Sequence, residues 1–147
     1  MKRELPILGM SLGLYLCLAT PSWSETTAAQ KEATQKLPHA MSDLLESTFY
    51  CQAVTGEKLY TEAKALALSV LGKLTDLGTA ERFVAGREKA FEQGCPLAER
   101  ATCWADYLDL LDEDPQVGRE ECNIEQELAM AQIVLTLQTM RGVPTQK

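Results

Sequence analysis

The sequence is nearly devoid of histidine, with His39 as its only example. It contains no Cys-x-x-Cys, Cys-x-x-Cys-His or His-Glu-x-x-His motif and no glycine-rich phosphate loop. These absences remove the usual spacings for zinc, c-type haem, dithiol redox chemistry and nucleotide phosphates. A catalytic triad would need His39 to converge with a nucleophile and a carboxylate. We therefore predict no catalytic residue, no cofactor site and no metal site.

The N-terminal region lacks any charge over residues 5–20, although the four residues before it include two basic side chains. A short basic segment, an apolar stretch and the small residues Ser22 and Ser24 are the three parts of a secretory signal. The apolar stretch is shorter than the about 20 residues that a membrane-spanning helix needs. We predict that residues 1–24 are a cleaved signal peptide and that the protein is periplasmic or secreted, with no membrane insertion after cleavage.

Cleavage would change the number of cysteines from five to four, because Cys17 leaves with the signal. An even number of cysteines in a small exported chain is typical of disulfide bonds, which oxidising compartments form. The alternative is a set of buried free thiols. We predict two disulfides, formed by Cys51, Cys95, Cys103 and Cys122.

Alternation of apolar and polar residues, the pattern of a strand, is also missing, whereas apolar residues recur at helical spacing from Pro38 onward. Glycine, proline and small polar residues mark the helix ends. The pattern predicts an all-α fold, a single compact bundle of about five helices. The expected helices cover residues 42–55, 57–77, 80–94, 97–111 and 123–141. The last has apolar residues on more than one face, so we expect it to be the most buried.

The segment before the first expected helix has only one large apolar side chain, Leu37. Such a segment cannot bury enough surface to order itself firmly. We predict a flexible lead or frayed helix over residues 25–37, a helical domain over residues 38–142 and a tail over residues 143–147. The spacing of Asp43 and Glu46 predicts a capping box at the start of the first helix.

Three pairings of the four cysteines are possible. A helix that starts at Pro96 would place Cys95 and Cys103 about 12 Å apart, against about 4.4 to 6.8 Å between bridged Cα atoms. That pairing therefore requires a later helix start. Short connections make successive helices antiparallel, which brings Cys51 and Cys95 to the same end of the bundle. This geometry favours Cys51 with Cys95 and Cys103 with Cys122.

Basic residues are outnumbered in the mature chain, in which 12 Lys and Arg face 20 Asp and Glu for a net charge of −8. Residues 106–127 contain nine acids and one base, so this window alone carries a charge of −8. Nucleic acids and anionic membranes are disfavoured as partners, whereas a basic protein surface is favoured. The residues that we predict to bind it are Asp106, Asp109, Asp112, Glu113, Asp114, Glu120 and Glu121.

Part of this acidic window has a local explanation. Acids near the start of a helix are stabilised by its dipole, which would account for Glu120, Glu121 and Glu125 if the last helix begins at residue 123. Acids at residues 112–114 would follow the end of a helix, where the dipole opposes them. A set of residues that local electrostatics disfavours is a candidate partner surface.

Three features between residues 43 and 111 suggest a family. They are Cys51-Gln52-Ala53 in one helix, an alanine-rich helix over residues 63–78 that ends at a glycine, and Cys103-Trp104-Ala105-Asp106-Tyr107 in a later helix. Together they resemble the periplasmic immunity proteins that block type VI secreted peptidoglycan amidases. Cys95 and Cys122 go beyond the family pattern. The resemblance implies a small helical inhibitor that occupies an enzyme's active-site cleft and has no catalysis of its own.

We therefore expect a small exported protein-binding module, inhibitor-like or immunity-like, that is not an enzyme and uses its acidic surface against a basic protein partner. Two alternatives stay open. One is a periplasmic hydrolase that uses carboxylates for acid-base chemistry. The other is a structural or chaperone-like envelope subunit, which should expose an apolar groove along its last helix. The sequence does not specify the oligomeric state.

Signal cleavage gives the first testable prediction. The exported protein should begin at Glu25, because the small side chains of Ser22 and Ser24 suit the signal peptidase. Intact-mass spectrometry under non-reducing conditions should give the mass of residues 25–147, less two hydrogens per disulfide. A species that retains residues 1–24 would contradict the prediction.

Overall fold

Helices make up nearly all of the structure, a computed structural model that describes residues 26–111 and 114–142. The helices are α1 (Ala28–Tyr50), α2 (Gln52–Thr55), α3 (Glu57–Leu74), α4 (Leu77–Gly94), α5 (Arg100–Leu111) and α6 (Pro115–Met140), with a 3-10 turn over Leu97–Glu99. No strand occurs in the described ranges. Because α2 is a single turn, five long helices remain, and the predicted all-α bundle of about five helices is confirmed.

The central helix is α1, which packs against α3, α4, α5 and α6. Its buried side chains recur at helical spacing, so that they form one continuous stripe. The largest of them are Leu37, Met41, Leu44, Leu45 and Phe49. The other long helices close around this stripe, so the core of the bundle follows α1 along most of its length.

The first helix extends across the predicted N-terminal boundary of the domain, because residues 28–37 belong to α1. Thr27 caps this helix: its hydroxyl accepts a hydrogen bond from the Gln30 backbone N–H, while the Gln30 side chain accepts one from the Thr27 N–H. Gln30 Nε2 also donates to the Met140 carbonyl at the end of α6. Leu37 is fully buried. One leucine therefore suffices here, because α6 lies alongside the segment and supplies the remaining apolar contacts.

The first expected helix is longer than predicted and is interrupted at Cys51, which separates α1 from the short α2. Gly56 follows α2 with a φ of 81°, a left-handed backbone that favours glycine. The expected second helix ends early, at Leu74, because the Asp76 carboxylate caps α4 by accepting a 2.8 Å hydrogen bond from the Thr79 N–H. Hydrogen bonds from the Thr79 side chain and backbone also lower the pKa of Asp76.

An aromatic cluster at Phe49 joins four helices. The Phe49 ring stacks on Phe91 of α4 at 5.0 Å and meets Tyr60 of α3 and Trp104 of α5 edge-on at 5.5 and 6.2 Å. The Arg100 guanidinium lies 5.4 Å from the Phe49 ring centre. Edge-on and offset aromatic pairs stabilise a core beyond the apolar area that they bury. The cluster therefore anchors the C-terminal end of α1 in the bundle.

Two disulfides are present, as predicted, but the favoured pairing is wrong. Cys51 pairs with Cys122, and Cys95 pairs with Cys103, with Cα atoms 5.9 and 5.7 Å apart. The later helix start that the second pairing required is found, since the chain makes a 3-10 turn after Pro96 and α5 begins only at Arg100. The ends of α1 and α4 do share one end of the bundle, yet each cysteine there bonds to a later helix.

The prediction that the last helix is the most buried is also wrong. Its buried positions include Cys122, Gln126, Ile133 and Thr136, a stripe with one large apolar residue. Five larger apolar side chains of the helix are exposed, namely Ile124, Leu128, Met130, Val134 and Leu135. The helix begins at Pro115 rather than at residue 123. None of the described helices is long and apolar enough to cross a membrane.

The two disulfides should contribute unequally to stability. They close loops with sequence separations of 71 and 8 residues. By the chain-entropy relation, losing the longer loop should lower the free energy of unfolding by about 4 kcal/mol, and losing the shorter one by about 2.5 kcal/mol. The matched variants are Cys51→Ala/Cys122→Ala and Cys95→Ala/Cys103→Ala, compared by urea unfolding. Equal losses, or a larger loss for the second variant, would contradict the expectation.

Candidate functional site

The structure distributes the predicted partner-binding acids over several places. Asp106 and Asp109 lie on the exposed side of α5, and Glu120 is exposed on α6 next to the half-buried Glu121. Residues 112 and 113 lie outside the described residues. The predicted acids that the structure describes are therefore not gathered on one continuous wall, and Asp106 is the one among them that lines the second depression described below.

The local explanation of these acids changes with the start of α6. Asp114 is the N-cap of that helix, where its carboxylate accepts a 2.8 Å hydrogen bond from the Gln116 N–H. A carboxylate at an N-cap is favourable, so Asp114 has a structural role that the sequence did not indicate. Glu120, Glu121 and Glu125 lie beyond the first turn of α6, where the dipole is weak. The dipole therefore no longer accounts for these three.

A long concave surface lies between α1, α5 and α6 and consists of two adjoining depressions of about 430 and 570 Å³ that share Glu46 and Tyr107. We call it the acidic groove. Its carboxylates come from three helices and the 3-10 turn, namely Asp43, Glu46, Glu99, Asp106 and Glu125. A tertiary arrangement thus brings together acids that are far apart in the chain.

Tyr107 lies at the centre of the acidic groove. Its ring stacks on that of Tyr50 with centroids 5.0 Å apart, and its hydroxyl donates a 2.7 Å hydrogen bond to Glu125 Oε2. Burial, together with this bond, raises the pKa of Tyr107 well above its ordinary value. The phenol therefore stays protonated over the physiological range and links α5 to α6 as a hydrogen-bond donor.

One groove carboxylate, Glu46, pairs with Arg87 of α4, whose guanidinium lies 3.2 Å from Glu46 Oε2 without lining either depression. Arg87 is also positioned 5.1 Å from the ring centre of Phe91. Among the salt bridges of residues 26–111 and 114–142, this is the one that includes a groove carboxylate. The surplus of carboxylates makes the groove a suitable environment for a cation, and the tyrosine faces offer a second type of contact with one.

The described residues include no cluster of three or more histidine, cysteine, aspartate or glutamate side chains that could hold a metal ion. The groove acids are spread along both depressions instead of converging on a point. Such a distribution suits an extended basic segment, which presents several cations along its length.

Sequence reasoning missed Asp43, Glu46 and Glu99 as groove residues. The sequence pattern predicts a helix cap at Asp43 and Glu46, but α1 begins at Ala28, so both residues lie well inside the helix. Two exposed acids one turn apart beside buried leucines were the available signal. These residues are far in sequence from the acidic window, so the sequence did not indicate that α1 and α6 line the same groove.

No protein-family model, curated protein or solved structure matches this chain. The resemblance to amidase immunity proteins stays a prediction. The acidic groove must therefore be interpreted from its own geometry and charge.

Tyrosine titration tests the burial of the groove aromatics. Burial raises the pKa of Tyr50, Tyr60 and Tyr107, which are all the tyrosines after residue 24. An unfolded tyrosine ionises near pH 10. Above about pH 10 the unfolded chain loses protons that the folded chain keeps, so the free energy of unfolding should fall as pH rises.

Tyrosinate absorbance of the folded mature protein should therefore stay low through pH 10 and rise together with alkaline unfolding. The urea-unfolded protein is the control and should titrate near pH 10. A folded protein that shows a tyrosine ionising at its ordinary pKa would contradict the buried arrangement.

Proposed function

We propose that this protein is an exported helical binding module, inhibitor-like or immunity-like, that receives a basic segment of a protein partner in its acidic groove and performs no catalysis itself. The observation that carries the proposal is the excess of carboxylates over Arg87 in a groove with two stacked tyrosines at its centre. Charge of one sign in a concave surface attracts partners of the opposite sign and accelerates their association.

Rigidity of the groove supports this proposal. The Cys51–Cys122 disulfide ties the end of α1 to α6, and Cys103 of the second disulfide lines the groove itself. The hydrogen bond from Tyr107 to Glu125 joins α5 to α6 within the groove. A surface that is organised before binding loses less conformational entropy when the partner arrives.

The two disulfides also support an extracytoplasmic site of action. Disulfides form and persist in oxidising compartments and are rare in the cytosol. The proposed signal peptide lies outside the described residues, so its evidence is the sequence alone. Periplasmic or extracellular partners are the ones that an exported module would meet.

Identification of the partner is the direct experiment. A photo-crosslinking amino acid at Thr102, an exposed position that lines the groove, should capture the partner in the cell envelope or medium. The same amino acid at Thr61, exposed on α3 outside the groove, is the control. Capture from both positions, or from Thr61 alone, would contradict a groove-specific partner.

Charge reversal then tests the mechanism of recognition. Asp43→Lys/Asp106→Lys should reduce the association rate constant with the captured partner by about tenfold or more at low salt. Glu81→Lys/Glu92→Lys, which changes two exposed acids outside the groove, alters the net charge equally and should have a small effect. The difference should shrink at about 1 M salt, where the Debye length is about 3 Å. Equal effects of the two variants would remove the groove from the mechanism.

One observation favours a second candidate. The exposed apolar side chains of α6 fit the expectation for a structural or chaperone-like envelope subunit. Such a subunit would use α6 instead of the acidic groove, so the variants above would leave its interactions unchanged. The hydrolase alternative stays a prediction from the sequence.

A further inference from the structure

The side of α6 that points away from the bundle is apolar. We call Ile124, Leu128, Ala131, Val134 and Leu135 the outer face; all five are exposed, and the four larger ones keep 46, 65, 46 and 48% of their surface accessible. At 3.6 residues per turn these positions fall on one side of the helix. The buried stripe, which includes Ile133, lies on the opposite side, so α6 has large apolar side chains on its outer side as well as its inner side.

This arrangement differs from an ordinary surface helix, which buries its large apolar side chains and exposes polar ones. Single exposed leucines occur on any protein surface, but a contiguous apolar strip marks an interaction site. The outer face is continuous over three turns of α6, whereas each other helix has at most two exposed large apolar side chains among the described residues.

We propose that a second copy of this chain covers the outer face by packing its own α6 antiparallel to the first. The spacing of the face fits a two-helix seam, in which apolar residues repeat at intervals of three and four residues. With the two-fold axis between residues 129 and 130, Leu128 meets Ala131 of the partner subunit. In the same register Ile124 meets the partner's Leu135. Within the seam each bulky side chain then faces an apolar residue of the other copy, and Val134 lies on the flank.

Charge complementarity selects this orientation. Glu120 and Arg141 are both exposed and flank the outer face on the same side, three heptads apart. In the antiparallel pair, Glu120 of each copy lies opposite Arg141 of the partner subunit. The dimer therefore has two ion pairs, each between an acidic and a basic side chain. In a parallel pair, residues on the same flank lie on opposite sides of the seam, so Glu120 would instead approach Glu125 of the partner subunit and bring like charges together. The apolar layers and the charged flanks thus require one and the same register.

The outer face and the acidic groove adjoin at Leu128, which lines the first depression. The dimer is nevertheless tested independently, because Ile124 and Leu135 line neither depression of the groove. The two interactions also respond differently to salt. Attraction of a basic partner weakens as salt screens the charges, whereas apolar burial between two acidic copies does not depend on opposite net charges. The experiments can therefore disprove the dimer without disproving the binding of a basic partner in the acidic groove, and the reverse.

The experiment is sedimentation equilibrium of the disulfide-bonded protein that begins at Glu25, over a range of concentrations. We expect a reversible monomer–dimer equilibrium, because one helix pair is a small interface by the standard of stable complexes. Ile124→Glu/Leu135→Glu should raise the dimer dissociation constant by about tenfold or more. Leu97→Glu, a change of an exposed leucine outside α6, should leave it unaltered.

The register is tested by charge exchange. Glu120→Arg alone and Arg141→Glu alone should each weaken the dimer, because each places like charges opposite one another. Combining the two substitutions should restore the wild-type dissociation constant. Circular dichroism melts should match across the variants, since the substituted side chains are exposed.

Three outcomes would overturn the proposal. The first is a wild-type protein that stays monomeric over the whole range, including when a different protein is found to bind the outer face. The second is a dimer that is insensitive to Ile124→Glu/Leu135→Glu. The third is a double charge exchange that fails to restore the dimer, which would exclude the antiparallel register.

Discussion

The disulfide between Cys51 and Cys122 is the constraint on which the rest of the structure depends. It joins the end of the central helix to α6 across 71 residues of sequence. The stripe by which α6 faces the bundle includes Ile133, with Leu137 and Met140 partly buried against the core, and the disulfide supplements this packing. The covalent tie keeps α6 beside α1. It thereby creates one wall of the acidic groove.

The acidic groove shows how a fold can concentrate charge that the sequence distributes. Asp43 and Glu46 come from α1, Asp106 from α5 and Glu125 from α6. Each is compatible with an exposed position on its own helix. Assembled, they raise the negative potential of a single concave surface, and Arg87 is the cation that pairs with one of them. An uncompensated arrangement of this kind costs stability through repulsion, which is understandable if a basic partner relieves it.

The helix α6 departs from ordinary amphipathic design. Its inward stripe includes Cys122, Gln126 and Thr136, while Leu128 and Leu135 face outward. Apolar periodicity indicated a helix correctly but assigned it the wrong environment, because the pattern contains no information on whether the neighbour belongs to the same chain. A helix that is apolar on several sides can be buried in a core or can be shared between chains. In this structure the side that includes Cys122, Ile133 and Thr136 packs against the bundle.

The sequence by itself determined the helical class, the cysteines that form disulfides and most helix ends, because spacing, glycine, proline and polar caps act over a few residues. Even the true start of α1 was readable in the Thr27 and Gln30 capping box. The tertiary structure alone determined three features. They are the pairing of the cysteines, the placement of Asp43 and Asp106 in one groove, and the side of α6 that faces outward. These features depend on which helices become neighbours, and that follows from the summed packing of the whole chain. Local pattern determines the elements, whereas long-range contacts determine the surfaces that they make together.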